Sequence, residues 1–222
     1  MAAQQIDVTM VHAVRHGEVH NPDKVLYGRA PGYRLSSRGE QMATAAGEYL
    51  AKLGDGRIAD VTASSLERAQ QTAGLIAAEL GGVEVGVDDR LLESRNFFSG
   101  RRLRRSDFVK HFYKLYNPFR PSWDEAYVSI ADRMVAAVDA ARDRARGAAA
   151  VLVSHQLPIW VLRRRLSGRR LWHSPAHRQC ALGSVTSFEF HGDNLIAIHY
   201  HVPAPELVAA ALADDPTASK SR

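Results

Sequence analysis

Apolar residues fall into four short runs that favour β-strands. Three of them, at 7–14, 58–64 and 83–87, are rich in β-branched residues, and the fourth, AAAVLVSH at 148–155, is almost continuously apolar. Strands usually have this length, and a continuous apolar run is typical of a central strand covered on both faces. We therefore predict a strand in each of these four places.

Segments with helical spacing separate these strands. Ser37 and Glu40 form an S-x-x-E capping box, and the apolar residues behind them recur every three or four positions. A second helix is predicted over 65–80, and a second capping box, Ser122 and Glu125, is predicted to open a long third helix. The alternation of strand and helix patterns predicts a layered α/β domain.

The remaining segments show three further patterns. SVTSFEF and NLIAIHYH favour an antiparallel hairpin, whose edge could pair with a second copy in a homodimer. The region 94–122 is basic and aromatic with no single period, and 213–222 is mostly polar. We predict one domain over residues 1–212, with an inserted lid at about 94–122 and a disordered tail at 213–222.

Composition places the chain among globular proteins. It has 222 residues, of which 45% are hydrophobic and 24% charged, so it can bury a substantial core. The longest apolar runs fall far short of the roughly 20 residues that span a bilayer. The first residues lack the pattern of a secretory signal, and the single cysteine, Cys180, excludes an intramolecular disulfide. We expect a cytoplasmic protein with no membrane partner.

The positive charge of the chain favours an anionic partner. The net charge is +5, and arginines cluster at 101–105, 163–165 and 169–170. Such runs are as often a solvated basic face as a binding site. No RNA-binding or DNA-binding motif accompanies them, so we expect a phosphorylated small molecule as the partner and consider nucleic acid unfavoured.

Polar residues suited to phosphate chemistry follow all four predicted strands. In open α/β sheets, ligands bind outside the carboxyl ends of the strands. Each such residue alone is more often structural or solvated than functional. Four of these positions at the same edge of one sheet, however, predict a phosphate-binding site. The residues are Arg15, His16 and Gly17 after the first strand, Arg68 after the second, Glu93 after the third and His155 after the fourth.

In these motifs the chain resembles the histidine phosphatase superfamily, which includes cofactor-dependent phosphoglycerate mutases and many metal-independent phosphatases. The resemblance implies a three-layer α/β/α sandwich with a mostly parallel central sheet. The matching motifs occur in the family's order and are RHGE (15–18), LSSRGEQ (35–41), SSLERAQQTA (64–73), RLLES (90–94), VLVSH (151–155) and GSVTSFEF (183–190).

The resemblance implies that His16 is the nucleophile and that it carries the phosphoryl group as a phosphohistidine. Neutral imidazole can approach a doubly charged phosphate, provided that one ring nitrogen keeps its proton on a nearby acceptor. Gly17 lets the backbone supply that acceptor and leaves room for the phosphoryl group.

The other matched residues take supporting roles by the same resemblance. Arg15, Arg68 and His155 hold the phosphate oxygens through charge-assisted hydrogen bonds. Asn21 adds a further bond, although it lies one residue closer to Arg15 than the family pattern has it. Glu93 protonates the leaving alkoxide and then acts as base toward water.

We predict no metal site and no cofactor. His173 and His177 have a spacing that suits a metal on a helix, but Pro175 lies between them and no acidic third ligand is evident.

Substrate and reaction type are less closely defined. The segment LLESRNFFSGRRLRR departs from the stretch typical of glycolytic mutases, and RAPGYR replaces the Trp and Asp usual after the glycine near Gly28. We therefore favour a metal-independent phosphatase acting on a phosphate monoester of a small metabolite, with an anionic or bulky substrate suggested by the basic lid. A mutase-type phosphotransferase is the alternative. A non-catalytic module that binds a phospho-ligand or nucleic acid is less favoured.

Overall fold

The computed structural model of the chain describes residues 8–53, 58–96, 99–100 and 125–214. Within these residues, six strands form one mixed sheet in the order β3-β2-β4-β1-β5-β6. The strands are β1 (Val8–Arg15), β2 (Ile58–Ala63), β3 (Val85–Val87), β4 (Ala149–Ser154), β5 (Val185–His191) and β6 (Asn194–His201). The α-helices are α1 (Ser37–Lys52), α2 (Glu67–Glu79), α3 (Tyr127–Arg144), α4 (Gln156–Leu166) and α5 (Pro205–Asp214).

The sheet is parallel where the predicted site lies and antiparallel at one edge. β4 pairs in parallel with both β1 and β2, and β2 pairs in parallel with β3. β5 pairs antiparallel with β1 and with β6, which confirms the predicted hairpin. In register, Arg15 lies opposite Ser154, and Ala63 lies opposite Val153. The carboxyl ends of β1, β2 and β4 therefore meet at one edge of the sheet.

Two apolar layers cover the sheet, which confirms the three-layer α/β/α sandwich. Helices α3 and α4 pack on one face, and α1 and α2 pack on the other. All six residues of β4 are buried. Leu152 faces the first layer, whereas Val151 and Val153 face the second. Burial of each large apolar side chain contributes about 1.5–3 kcal/mol, and coverage on both faces explains the continuous apolar run of this strand.

The start of α1 differs from the prediction by one residue. The N-cap is Ser36, and its side-chain oxygen accepts a hydrogen bond from Gly39 N at 3.0 Å. The same hydroxyl donates to Glu18 Oε2 at 2.5 Å. Ser36 is favoured over Ser37 because its extended backbone places the hydroxyl over the first turn and toward the loop that follows β1.

The second predicted capping box is wrong. Helix α3 begins at Tyr127, its N-cap is Ala126, and no side chain caps it. Glu125 precedes the helix and forms salt bridges with Arg133 at 2.7 Å and Arg29 at 3.2 Å. Two arginines therefore use the carboxylate that the capping box would have required. Ser122 lies outside the described residues.

The C-terminal part of the chain contains a helix that we did not predict. In α5, Val208 and Ala211 pack against Met42 of α1. Asp214 at its end accepts a hydrogen bond from Arg38 at 2.6 Å. The helix thus includes the first two residues of the predicted disordered tail, and 215–222 lie outside the described residues. Most of the predicted lid, 97–98 and 101–122, also lies outside them.

None of the helices in the described part of the chain is long and apolar enough to cross a membrane.

A buried histidine couples the stability of the sheet to pH. His12 in β1 is fully buried, and its Nδ1 lies 2.8 Å from Ser187 Oγ of β5. Burial lowers the pKa of His12 from 6.5 to about 4. Because the unfolded chain takes up this proton at a higher pH than the folded chain does, the contribution to stability is complete above pH 6.5 and is lost as the pH falls toward 4.

We expect the free energy of unfolding to fall between pH 6.5 and pH 5, with about 2 kcal/mol of the loss due to His12. Urea denaturation at both pH values measures this loss. The His12→Asn variant should lose less than the wild type over the same interval, and an equal loss in both proteins would contradict the assignment.

Candidate active site

Two histidines lie side by side at the carboxyl edge of the parallel strands. His16 N donates to Ser154 O at 3.1 Å, and Ser64 N donates to Val153 O at 3.1 Å, so both loops continue the strand ladder by one residue. The ring centroids of His16 and His155 are 5.0 Å apart. The register of β1, β4 and β2 therefore brings together side chains that are far apart in sequence.

The contacts of the His16 ring define its protonation state. Nδ1 lies 2.8 Å from Gly17 O, and a carbonyl oxygen can only accept, so Nδ1 carries the hydrogen. Arg68 Nε donates to Nε2 at 3.3 Å, so Nε2 presents a lone pair. Burial first, and then the charges of Arg68 and Arg15, lower the pKa of His16 well below its ordinary value. The ring is neutral, with Nε2 available as a nucleophile.

Gly17 is required by the neighbouring helix as well as by His16. Its carbonyl is the acceptor for the ring, as predicted. A Cβ atom at Gly17 would lie 2.2 Å from the carbonyl oxygen of Gly39, in the first turn of α1. A side chain at position 17 would therefore clash with the backbone of α1. Glu18 supports the same junction, because its carboxylate also accepts from Arg38 at 3.1 Å.

Arg68 is a buried arginine beside His16. Its side chain is 1% exposed, and its Nη2 donates to Gly28 O at 2.6 Å. The guanidinium lies 4.7 Å from the centre of the Tyr27 ring, where a cation–π interaction favours its charge. Burial lowers the pKa of Arg68, and the charge of Glu93 opposes this effect.

Arg15 and His155 each have a buried nitrogen without a hydrogen-bond partner among the described residues. Arg15 Nη1 donates to Cys180 O at 2.6 Å, but its Nε is buried and has no hydrogen-bond partner in the described part of the chain. His155 Nε2 lies 2.7 Å from Ser64 Oγ, and its buried Nδ1 likewise has no partner there. Burial, Arg68 and His16 lower the pKa of His155 well below its ordinary value. Ser64, which sequence reasoning did not single out, orients this ring.

Glu93 lies on a loop that a network of charges holds in place. Its carboxylate accepts from Ser94 N at 2.8 Å, and its backbone carbonyl accepts from Arg29 Nε. Arg29 pairs with Glu125, which also binds Arg133. The carboxylate of Glu93 is close enough to Arg68 and Tyr27 to affect the pKa of each. The charge of Glu93 therefore acts on Arg68, the arginine that contacts His16, and the role of Glu93 in proton transfer stays a prediction.

Asn21 does not join this cluster. Its Nδ2 donates to Val25 O at 2.8 Å, and its Oδ1 accepts from Val25 N at 3.1 Å. Both ends of the amide therefore bind the backbone of Val25, four residues further along, and close the loop after β1. We therefore leave Asn21 out of the proposed site.

Sequence reasoning also missed a third arginine near the site. Arg178 is 8% exposed, and its Nε donates to His173 Nε2 at 2.9 Å. His173 Nδ1 lies 2.7 Å from Leu171 O, so both ring nitrogens are engaged. The predicted disruption at Pro175 is present, because Pro175–His177 form a single 3₁₀ turn. No group of His, Cys, Asp or Glu suited to hold a metal occurs among the described residues.

The basic runs noted in the sequence lie on a separate surface where the structure describes them. Arg163 and Arg164 lie 5.7 and 5.8 Å from the Trp160 ring centre. Arg169 and Arg170 line an open cleft of about 400 Å³ next to them. The run 101–105 lies outside the described residues.

The cluster around His16 combines a neutral imidazole with two arginines, the buried Arg68 and the half-buried Arg15. The charges of both arginines act on His16, and the charge of Glu93 acts on Arg68. Arg15 Nε and His155 Nδ1, which have no partner among the described residues, are suited to an anion that supplies several acceptor oxygens. A phosphate group has this chemistry.

Comparison with known proteins agrees with this geometry. The family model described as histidine phosphatase superfamily (branch 1) matches residues 11–202. The chain belongs to the histidine phosphatase superfamily. Membership confirms the predicted family and the prediction of an enzyme with phosphatase activity.

Three individual proteins show how far the similarity of this histidine phosphatase extends. The chain is 52% identical over 200 residues to Rv0525 of Mycobacterium tuberculosis H37Rv. The aligned region covers 88% of this chain and 97% of that protein. The chain is 30% identical over 162 residues to phosphoglycerate mutase-like protein 4 of Arabidopsis thaliana, covering 69% of each. The structure of mycobacterial glucosyl-3-phosphoglycerate phosphatase Rv2419c has the same fold, with TM-score 0.68, 23% identity, and coverage of 88% of this chain and 98% of that one.

We expect the His16 ring of this histidine phosphatase to stay neutral, with its hydrogen on Nδ1, from pH 8 down to about pH 6. Burial and two adjacent arginines lower its pKa well below 6.5, so the second proton binds only in more acidic solution. Nitrogen–proton NMR correlations of ¹⁵N-histidine-labelled protein measure this, with His16→Ala used to assign the signal. A ring that protonates near pH 6.5, or that carries its hydrogen on Nε2, would contradict the assignment.

Proposed function

We propose that this protein is a cytoplasmic, metal-independent phosphatase that hydrolyses a phosphate monoester of a small metabolite through a phosphohistidine on His16. The protonation state of His16 is the observation that supports this proposal most directly. Its Nδ1 hydrogen is held by Gly17 O, which leaves the Nε2 lone pair beside the buried guanidinium of Arg68. A neutral nucleophile in a cationic site can approach a phosphate dianion without charge repulsion.

Phosphate binding is assigned to the donors that have no protein partner. Arg15 Nε and His155 Nδ1 are both buried and unfilled within the described residues. We assign Ser64 Oγ as the donor to His155 Nε2, which puts the hydrogen of His155 on Nδ1, the nitrogen left for the phosphate. Arg68, which contacts His16, can shift its Nε to a phosphate oxygen as the ring bonds to phosphorus. These fixed donors stabilise the charge that moves onto the phosphoryl oxygens in the transition state.

Glu93 is assigned to proton transfer. In the first step His16 Nε2 attacks phosphorus, the bond from phosphorus to the ester oxygen breaks, and Glu93 gives its proton to the leaving alkoxide. In the second step the Glu93 carboxylate takes a proton from water, whose oxygen attacks the phosphohistidine. Inorganic phosphate leaves and His16 returns to its neutral form. General acid–base catalysis of this kind is worth about 10²–10⁴-fold.

A mutase-type phosphotransferase uses the same phosphohistidine and differs in its acceptor. The similarity to phosphoglycerate mutase-like protein 4 keeps this alternative open. The departures around RAPGYR and LLESRNFFSGRRLRR support water as the acceptor. The functional assay must therefore distinguish transfer of the phosphoryl group to water from transfer to a second phosphorylated acid.

We expect wild-type protein to release inorganic phosphate from at least one phosphorylated metabolite with EDTA present. His16→Ala should lower the rate by at least about 10³-fold, because removal of a nucleophile abolishes the covalent route. A phosphate-release assay over a panel of metabolites measures this. His199→Ala is a matched control, since His199 is an exposed residue of β6.

Two outcomes would contradict the proposal. Activity that survives in His16→Ala would exclude the phosphohistidine route, and activity lost on EDTA treatment would exclude metal independence. The mutase would be favoured if, with 2,3-bisphosphoglycerate present, the protein isomerises 3-phosphoglycerate faster than it releases inorganic phosphate.

A further inference from the structure

The open cleft at the end of α4 combines arginines with tryptophans, and the proposed reaction does not use it. Its volume of about 400 Å³ lies within the range typical of small-molecule sites. None of the described residues that line it belongs to the cluster around His16, and none of them carries a carboxylate. The lining residues are Trp160, Arg164, Arg169, Arg170, Trp172, His173, Ser174 and His177. The cleft therefore has the charge of an anion-binding site that is distinct from the proposed active site.

The turn after α4 fixes the backbone of the arginines in this cleft. Gly168 has a φ of +65°, and its N–H donates to Arg165 O at 3.1 Å. The N–H of Arg169 donates to Arg164 O at 2.9 Å, which completes the pair of bonds of a Schellman motif. Arg164 Nε in turn donates to Arg170 O at 2.5 Å. Arg169 and Arg170 are therefore anchored by their backbone beside the last turn of α4, while both side chains remain exposed.

Aromatic rings form another part of the cleft wall. Trp172 is 49% exposed, although it is one of the largest apolar side chains. The residues on either side of it are tied together, because His173 Nδ1 lies 2.7 Å from Leu171 O. The ring of His173 also lies 6.0 Å from that of Trp160, which is 8% exposed. Trp172 thus presents an indole on an anchored segment, where a flat ring could stack on it.

The charges and the rings together select the class of ligand. A phosphate supplies the acceptor oxygens that guanidinium groups bind, and a nucleobase supplies a planar face that stacks on an aromatic side chain. A solvated basic face needs no exposed indole beside its arginines. The volume of about 400 Å³ suits one nucleotide and not a chain of several.

We propose that this cleft binds a nucleoside monophosphate, with its base on Trp172 and its phosphate on Arg169 and Arg170. The site goes beyond the proposed function and does not depend on it, because the cleft shares no residue with the cluster around His16. Binding here requires no chemical step.

Calorimetric titration with adenosine 5′-monophosphate (AMP), ribose 5-phosphate and adenosine tests the site. All proteins carry His16→Ala, so that AMP is not consumed during the titration. AMP should bind at least about tenfold more tightly than either fragment, the scale of one stacked base or one charge-assisted contact. Adding Trp172→Ala should reduce the affinity for AMP to that for ribose 5-phosphate. Adding Arg169→Gln and Arg170→Gln together should reduce it to that for adenosine.

Two further variants serve as controls. Trp172→Phe keeps an aromatic ring and should retain most of the preference for AMP over ribose 5-phosphate. Arg165→Gln removes one positive charge from the same helix, but Arg165 does not line the cleft and pairs with Asp132. It should leave all three affinities unchanged.

Three results would overturn this proposal. The first is absence of AMP binding, and the second is an affinity for AMP that neither Trp172→Ala nor the double arginine variant lowers, since the nucleotide would then bind elsewhere. The third is binding of an eight-residue oligoadenylate at least about tenfold more tightly than AMP, which would indicate a surface for single-stranded nucleic acid. Loss of phosphatase activity in the functional assay would leave all three tests intact.

Discussion

The hydrogen bond from the ring of His16 to the carbonyl of Gly17 is the interaction on which the rest of the site depends. It fixes the hydrogen on Nδ1 and leaves Nε2 as a nucleophile. The bond requires the backbone after β1 to turn tightly against α1, where only a glycine fits beneath the Gly39 carbonyl. Burial, and then the charges of Arg68 and Arg15, keep the ring neutral by lowering its pKa.

The same design principle explains how the other groups are held. Arg15 and His155 each use one nitrogen to anchor the side chain to protein and keep another buried nitrogen without a partner among the described residues. Arg15 is anchored on Cys180 O, and His155 is anchored on Ser64 Oγ. Because the anchors come from neighbouring parallel strands or the segment before β5, the sheet sets their separation before any ligand binds. Fixed donors of this kind need little reorganisation during the reaction.

The sequence allowed the sheet and the main site positions to be predicted because both follow from local patterns. The apolar run of β4 reports burial on both faces, and the residues after each strand must meet at one edge. The predicted capping role of Glu125 was wrong because Arg133 and Arg29 bind its carboxylate. Asn21 was left out of the proposed site because its amide binds the backbone of Val25. Arg178 was missed because no strand or motif precedes it, and its burial against His173 follows only from the tertiary structure.

The central claim is that phosphate passes through His16 Nε2, and rapid-quench trapping of the enzyme during turnover tests it most directly. Alkaline quenching preserves phosphohistidine, and peptide mass spectrometry with phosphorus NMR locates the phosphoryl group. The account predicts one phosphoryl group on Nε2 of His16, formed and lost at rates compatible with turnover and absent from His16→Ala. Phosphate found on His155, or turnover that continues at the wild-type rate in His16→Ala, would contradict it.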